Sequence, residues 1–327
     1  MEKKVLETIK KFNLIEEGDK IVTAVSGGPD SIAMLDILIK IRDKLNFSLC
    51  VAHVNHLIRE EAEEDKKFVE KYCKKNNIDF YSKSIDVQKL ANNNKIGTEE
   101  AGRLVRYDFF DEVLEKTNSN KIAIAHNKND RAETIIMNTL RGSGISGLKG
   151  IEAIRGKYIR PLIECERNEI EAYCKRENIN PRIDKTNFDN IYTRNKIRNI
   201  VIPYIQKEFN PNIINTLERL SQLVCEEEAY IEKQIIKTYM DLLVEEDIPN
   251  QITLDLKAFN NQEKVIKSRV VIYTINKLFN TSKGIEKIHI EDVIRLCENN
   301  IGNKYLTPNK KTKILVKNHK IYFLSQI

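Results

Sequence analysis

The sequence predicts an α/β fold: a doubly wound parallel sheet, followed by a smaller, mainly helical C-terminal domain. Three observations carry this. Apolar, β-rich runs alternate with helical patterns through the first half of the chain. Those runs are apolar at nearly every position, as strands covered on both faces are. After Pro161 the alternation gives way to longer helical patterns.

Taken in order, "MEKKVLETIKKF" reads as an amphipathic helix, and "KIVTAVS" as the first strand. Asp30 to Arg42 follows as a helix with apolar Ile32, Leu35 and Ile39. "SLCVAHVN" is a second strand, with a charged helix from about Arg59 to Lys75. "DFYSKSI" is a third strand, and Thr98 to Lys116 a helix that Thr98 can cap. "KIAIAH" is a fourth strand, Asn129 to Arg141 a helix, and "IEAIRGKYIRPL" a closing hairpin. Glu166 to Asn178 is helical, and "INPRIDKTNFDNIYTRNKIRN" reads as a polar connection. A long helical region follows Pro203 through about Leu243. "QITLDLKAF" then reads as a short strand, with helices over Gln262 to Leu278 and Ile288 to Cys297, and strand-like "KILV" and "IYFL" at the end. The boundary is expected between Pro203 and Pro211, giving domains over 1–205 and 206–327.

No apolar run approaches the roughly 18 residues of a membrane span, and the N-terminus lacks a signal-peptide apolar core. The expectation is a cytoplasmic protein with no membrane partner. Six cysteines (Cys50, Cys73, Cys165, Cys174, Cys225, Cys297) are scattered with no CxxC pair, which argues for packing thiols over a zinc or iron–sulfur site. Lysine plus arginine number 54 against 48 acids, a net charge of +6. The stretch from Ile301 to Ile327 alone holds six lysines, Lys310, Lys311 and Lys313 among them, and no acid. That tail is either a solvated surface or a contact for a nucleic-acid backbone.

The junction "SGGPDS", Ser26 to Ser31, ends the first strand and begins a helix, where α/β sheets bind ligands and helix N–H groups face anions. Gly27 and Gly28 permit a tight turn and close approach to phosphate, Pro29 loses no needed hydrogen bond, and Ser26 and Ser31 add hydroxyl donors. An ordinary turn with Asp30 as a helix-start acid remains the alternative. GxxxxGK[ST] is missing, and the GxGxxG at Gly142 to Gly147 follows a helix, which defeats a dinucleotide reading.

"SGGPDS" after a first strand resembles the PP-loop of the ATP-pyrophosphatase superfamily, whose fold is adenine nucleotide α-hydrolase-like. Further segments resemble the tRNA(Ile)-lysidine synthetase family in order: "HVNHLIR" at His53, "EAGRLVRY" at Glu100, "AHNKNDRAET" at Ala125, then "LRGSGISGLKGI", "IRPLI", Asp184, Asn187 and "TRNKIR". The resemblance is dense over about residues 15 to 205 and weaker beyond. It implies a ligase for which ATP and Mg²⁺ activate the wobble cytidine of the minor isoleucine tRNA with a CAU anticodon. The carbonyl oxygen is adenylated, pyrophosphate leaves, and the ε-amine of L-lysine displaces AMP, so that decoding changes from AUG to AUA.

Under that resemblance Ser26, Gly27, Gly28, Pro29, Asp30, Ser31 and His53 hold ATP, and Asp30 orients Mg²⁺ directly or through water. Asp130 and Glu133, one face of a helix, bind the lysine ammonium and help remove its proton. Arg103 and Arg106 can each clamp phosphate, and one of them is expected to serve ATP or the adenylate; the i, i+4 spacing of Arg194 and Arg198 fits a second clamp near the substrate nucleotide. Lys310, Lys311 and Lys313 contact tRNA within the domain over 206–327. Each assignment has a plainer counterpart: Asp30 as a cap, Asp130 and Glu133 as a solvated acidic face, the arginines as surface groups, His53 as packing. Two positions depart from the family: Asn127 replaces a histidine and Arg131 a glutamine. Arg131 points about 100° from Asp130 on a helix and need not neutralise the acid pair. A natural short form and a truncation both fit the C-terminus, and families of this kind include homodimers. A 2-thiocytidine-type sulfur transferase and a non-catalytic RNA-binding protein are the alternatives; the lack of CxxC weighs against the first and the intact loop against the second.

Overall fold

Strand β1 (Lys20–Ala24) lies mid-sheet because its residues are apolar on both faces: Ile21 and Val22 are fully buried. It pairs in parallel with β2 (Ser48–Asn55) on one side and β4 (Lys121–Ala123) on the other, Thr23 facing Val51 and Ala123. β3 (Phe80–Ser84) adds to β2 in parallel, β6 (Tyr158–Ile159) to β4 in parallel, and β5 (Ile154–Arg155) closes the edge antiparallel to β6. The order β3-β2-β1-β4-β6-β5 reverses direction between β1 and β4, the topological switch point at which such sheets bind ligands. The computed structural model describes residues 1–57, 62–182, 192–245, 248–279, 284–299, 304–309 and 311–325.

Helices cover both faces. α2 (Pro29–Leu45) buries Ile32, Met34, Leu35, Ile37, Leu38 and Ile41, starts at Gly28 with Pro29 in its first turn, and ends on Asn46 in the left-handed region. With α3 (Ala62–Lys75) it packs Val69, Cys73 and Leu35 against Val51. A Leu→Ala change in this close-packed core would cost about 2–5 kcal/mol. The opposite face carries α5 (Thr98–Lys116), whose Phe109, Phe110 and Val113 meet Val22, Cys50 and Ile122. α1 (Glu2–Lys11) and α7 (Arg167–Arg176) complete the α2 layer through Val5, Ile9, Ile170 and Tyr173. Short α4 (Val87–Asn94) was not foreseen; Asp86 caps it by accepting the Lys89 N–H at 2.9 Å.

The expected polar connection before Pro203 is in part helical. α8 (Thr193–Lys196) runs into a π-helical stretch, Ile197–Val201, and then α9 (Ile202–Glu208). Pro203 has no N–H for a carbonyl four residues back, and Ile202 N–H instead bonds Ile197 O, five back. Asp184 and Asn187 lie outside the described residues.

The chain divides into two compact units, Met1–Val224 and Cys225–Ile327. Helix α10 (Ile213–Leu242) contributes to both. The second unit pairs β7 (Leu243–Glu245), β8 (Gln251–Asp255), β9 (Lys304–Asn309), β10 (Thr312–Lys317) and β11 (Lys320–Ser325) in the antiparallel order β7-β8-β11-β10-β9. The strand-like pieces of the lysine-rich tail thus form a sheet, packed on α11 (Leu256–Asn260), α12 (Lys264–Phe279) and α13 (Lys287–Glu298) through Phe259, Val271, Ile294, Ile314 and Phe323.

Candidate active site

The loop after β1 is built by its glycines and serines. Gly27 has φ +95°, a conformation that favours glycine, whereas a Cβ there would meet Val69 Cγ2 at an ordinary 3.6 Å. Backbone conformation, not space, demands the residue. Ser31 Oγ donates to Gly28 O at 3.0 Å and accepts the Ser26 N–H at 3.2 Å, so the loop's hydroxyl is turned inward upon the loop. Arg182 N–H donates to Gly27 O at 3.0 Å, bracing the loop from the start of the polar connection, at a residue with no signal of its own in the sequence.

His53 is buried near the end of β2, its Nδ1 2.8 Å from Val25 O. A carbonyl only accepts, so Nδ1 carries the proton and His53 fixes the residue just before Ser26. Burial holds its pKa below the usual histidine value, against the pull of that hydrogen bond. Nε2 has no hydrogen-bond partner.

Across the switch point, α6 (Lys128–Leu140) begins with a reciprocal cap: Asn127 Oδ1 accepts the Asp130 N–H and Asp130 Oδ2 accepts the Asn127 N–H, both at 3.0 Å. Asn127 Nδ2 then donates to Asp30 Oδ1 at 3.1 Å. The residue that departs from the family's histidine therefore ties the loop to the acid-bearing helix. Arg131 turns away, its Nε donating to Ile151 O at 2.8 Å and its guanidinium pairing with buried Glu218 on α10.

Asp130 and Glu133 are buried, 7% and 1% exposed, so they are no solvated acidic face. Their partners are Arg194 and Arg198, one helical turn apart. Arg194 donates from Nε to Glu133 Oε2 at 2.9 Å and from Nη2 to Asp130 Oδ1 at 3.2 Å. Arg198 donates from Nε to Glu133 Oε1 at 2.5 Å and from Nη2 to Asp130 Oδ1 at 3.0 Å. Two groups assigned separately, acids for an amine and arginines for phosphate, form one four-residue cluster. Burial would raise the Asp130 pKa, but Arg194 chiefly, with Arg198 and the Asn127 N–H, holds it below the carboxylate range. Both arginines are raised despite burial, because Asp130 and Glu133 face them.

Two further groups belong to this neighbourhood. Arg167 opens α7 with Nη2 4.0 Å from Asp130 Oδ1, and its charge offsets part of the rise that burial and Asp130 impose on the Asp30 pKa. His126 Nδ1 accepts from Arg160 Nε at 3.1 Å, and burial pushes its pKa down to about 4, so the ring is neutral at pH 7. Of the α5 arginines, Arg106 donates from Nε to Gly102 O at 3.3 Å and feels the charges of Arg103 and Arg194, whereas exposed Arg103 stacks on Tyr107, 5.5 Å to the ring centre. In the second unit Lys313 lies 4.4 Å above the exposed Tyr305 ring, and Lys311 is exposed. Lys310 lies outside the described residues.

Among the described residues no three His, Cys, Asp or Glu side chains gather into a metal-binding group, and no helix is long and apolar enough to cross a membrane. Cys50, Cys73, Cys165, Cys174 and Cys297 are buried, with thiols pushed up by that burial.

A switch-point sheet with a glycine-turned loop after its first strand and no Walker lysine defines the class, a PP-loop domain, and the PP-loop domain family matches residues 1–205. A U34-tRNA thiolase from Methanococcus maripaludis shares the fold with TM-score 0.56 at 19% identity, over 68% of this chain and 77% of that one. A tRNA(Ile)-lysidine synthase from Clostridium acetobutylicum is 47% identical over 93% of this chain and 66% of its own length. One from Clostridioides difficile is 42% identical over 97% of this chain and 71% of its own. The chain belongs to the tRNA(Ile)-lysidine synthase family. It spans about two thirds of the length of these relatives.

Proposed function

We propose that the protein makes lysidine: it adenylates the carbonyl oxygen of the wobble cytidine of the minor isoleucine tRNA and replaces AMP with the ε-amine of L-lysine. The observation that carries this reading is the continuous set Asp30–Asn127–Asp130–Glu133–Arg194–Arg198 at the switch point. It sets groups for phosphate beside groups for an ammonium. A pyrimidine carbonyl oxygen leaves only once it is bonded to phosphate, so both kinds of group are required.

In this reading the Ser26 to Ser31 loop and the start of α2 bind the pyrophosphate end of ATP, the serine hydroxyls turning from one another to the ligand. His53, its Nδ1 committed to Val25, offers Nε2 as an acceptor suited to the amino group of adenine. Arg106 and Arg103 serve the α-phosphate side. Phosphate oxygens compete with Asp130 and Glu133 for Arg194 and Arg198. As the arginines turn to phosphate, the carboxylates receive the lysine ammonium and then take the proton that the attacking amine loses. Attack forms the carbon–nitrogen bond, and the carbon–oxygen bond to AMP breaks.

Asp30 fits Mg²⁺ of the kind held by one carboxylate, phosphates and waters. Burial first and the Asp130 charge second push its pKa up to about 6, a cost that an adjoining cation would offset. Bound there, Mg²⁺ would stabilise charge on the departing pyrophosphate. The region 206–327 supplies tRNA contacts, with Lys310, Lys311 and Lys313 at phosphates and Tyr305 beside Lys313. A homodimer is part of the proposal. Incorporation of labelled lysine into that tRNA, dependent on ATP, tests the function; sulfur incorporation in its place would favour the thiolase chemistry.

A further inference from the structure

Asn127 is fully buried and uses both ends of its amide. A backbone N–H can only donate, so the atom facing Asp130 N at 3.0 Å is Oδ1, and Nδ2 must face Asp30 Oδ1, 3.1 Å away. Its own backbone N–H occupies Asp130 Oδ2, which leaves Asp130 Oδ1 for Arg194 and Arg198. One residue therefore touches the carboxylate of the phosphate loop and selects which oxygen of the amine-side carboxylate faces the cluster. These are two anions that repel each other across the switch point.

We propose that Asn127 is a positioning residue that holds Asp30 in place for MgATP through its amide N–H, separately from its role as the cap of α6. An amide suits the position because it joins a donor to an acceptor. Serine keeps the cap acceptor but is too short to reach Asp30, aspartate would set a third anion against the two, and alanine loses both functions.

This division makes the inference testable. Its lysine arm rests on the function proposed above; its MgATP arm does not. Three proteins are compared: wild type, Asn127→Ser and Asn127→Ala. For each, MgATP affinity is measured by calorimetry, thermal stability by melting, and the KM for lysine by incorporation into tRNA. Asn127→Ser should melt within a few degrees of wild type and keep its lysine KM. It should bind MgATP about tenfold more weakly or worse, the ratio expected for one lost hydrogen bond to a charged group. Asn127→Ala should show the same MgATP loss, a lower melting temperature and a raised lysine KM, because the start of α6 is loosened as well. Wild-type MgATP affinity in Asn127→Ser would overturn the inference and leave Asn127 a helix cap. If wild type incorporates no lysine, the functional reading fails, while the MgATP comparison still decides the role of Asn127.

Discussion

Arg198 donates from Nε to Glu133 Oε1 at 2.5 Å and from Nη2 to Glu133 Oε2 at 2.9 Å, a two-pronged pair around a carboxylate that is 1% exposed. A buried charge so held is strongly favoured only while its partner stays. The two acids and the two arginines therefore satisfy each other. On the function proposed above, a ligand that uses either kind of group has to replace these pairs.

Binding of the two small substrates should accordingly be coupled. A non-hydrolysable ATP analogue, by drawing Arg194 and Arg198 towards phosphate, should raise lysine affinity at least about fivefold, the lower end of ordinary coupling energies. Calorimetric titration of lysine with and without the analogue measures this; equal affinities would show that the arginines stay on the acids.

Glu133→Gln should raise the KM for lysine about tenfold or more, since a charge-assisted contact to an ammonium becomes a neutral one. MgATP affinity should change much less. Equal losses in both would mean that Glu133 acts on the nucleotide.

The stability of the unliganded protein should respond to pH through two groups of opposite sign. His126, lowered to about 4, binds fewer protons folded than unfolded, so its contribution rises between about pH 4 and 6.5 and is lost as pH falls through that window. Asp30, raised to about 6, binds more protons folded, so its contribution falls as pH rises from about 4 to 6. Each amounts to about 1–3 kcal/mol. Denaturant titrations at pH 4.5, 5.5 and 6.5 should show the two contributions nearly cancelling in wild type, stability falling with pH in His126→Gln and rising with pH in Asp30→Asn.

The Arg131–Glu218 pair is buried on both sides, 5% and 7% exposed; Arg131 and Gln222 both donate to Glu218 Oε1, and Oε2 has no hydrogen-bond partner. Glu218→Ala, which strands the guanidinium, should cost about 3–5 kcal/mol, while replacing both by leucine should cost far less. Denaturation midpoints of the single and double variants distinguish the two.

Replacing Lys310, Lys311 and Lys313 together should weaken tRNA binding and reduce the salt slope by about one for each lysine that no longer meets a phosphate. An unchanged slope would return these lysines to a solvated surface.

The parallel sheet was legible because its central strands β1, β2 and β4 are apolar and buried and its helices carry three- and four-residue periodicity, as in Ile32, Leu35 and Ile39. The PP-loop was legible because positive φ at Gly27 and a proline in the first turn leave marks in sequence. The joining of Asp130 and Glu133 with Arg194 and Arg198 was not: the pairs lie some sixty residues apart, and spacing along a chain does not say which charges meet. Asn127 read as a departure from a motif, because an amide's value lies in having two partners, one of them 97 residues away in the chain. Arg167 left no signal, being one arginine among many. The helix before Pro203 was hidden by asparagines and by a proline that a π-helical stretch absorbs. The terminal sheet was glimpsed as strand-like pieces, but antiparallel pairing of β11 with β8 depends on residues far apart in sequence.

ATP-dependent transfer of labelled lysine to the minor isoleucine tRNA, compared between wild type and Glu133→Gln with pyrophosphate release followed in parallel, decides whether one site serves both phosphate and amine. The account predicts lysine transfer by wild type, and in the variant pyrophosphate release that persists while lysine transfer at limiting lysine falls about tenfold or more. Well-folded wild-type protein that transfers no lysine to that tRNA would contradict it.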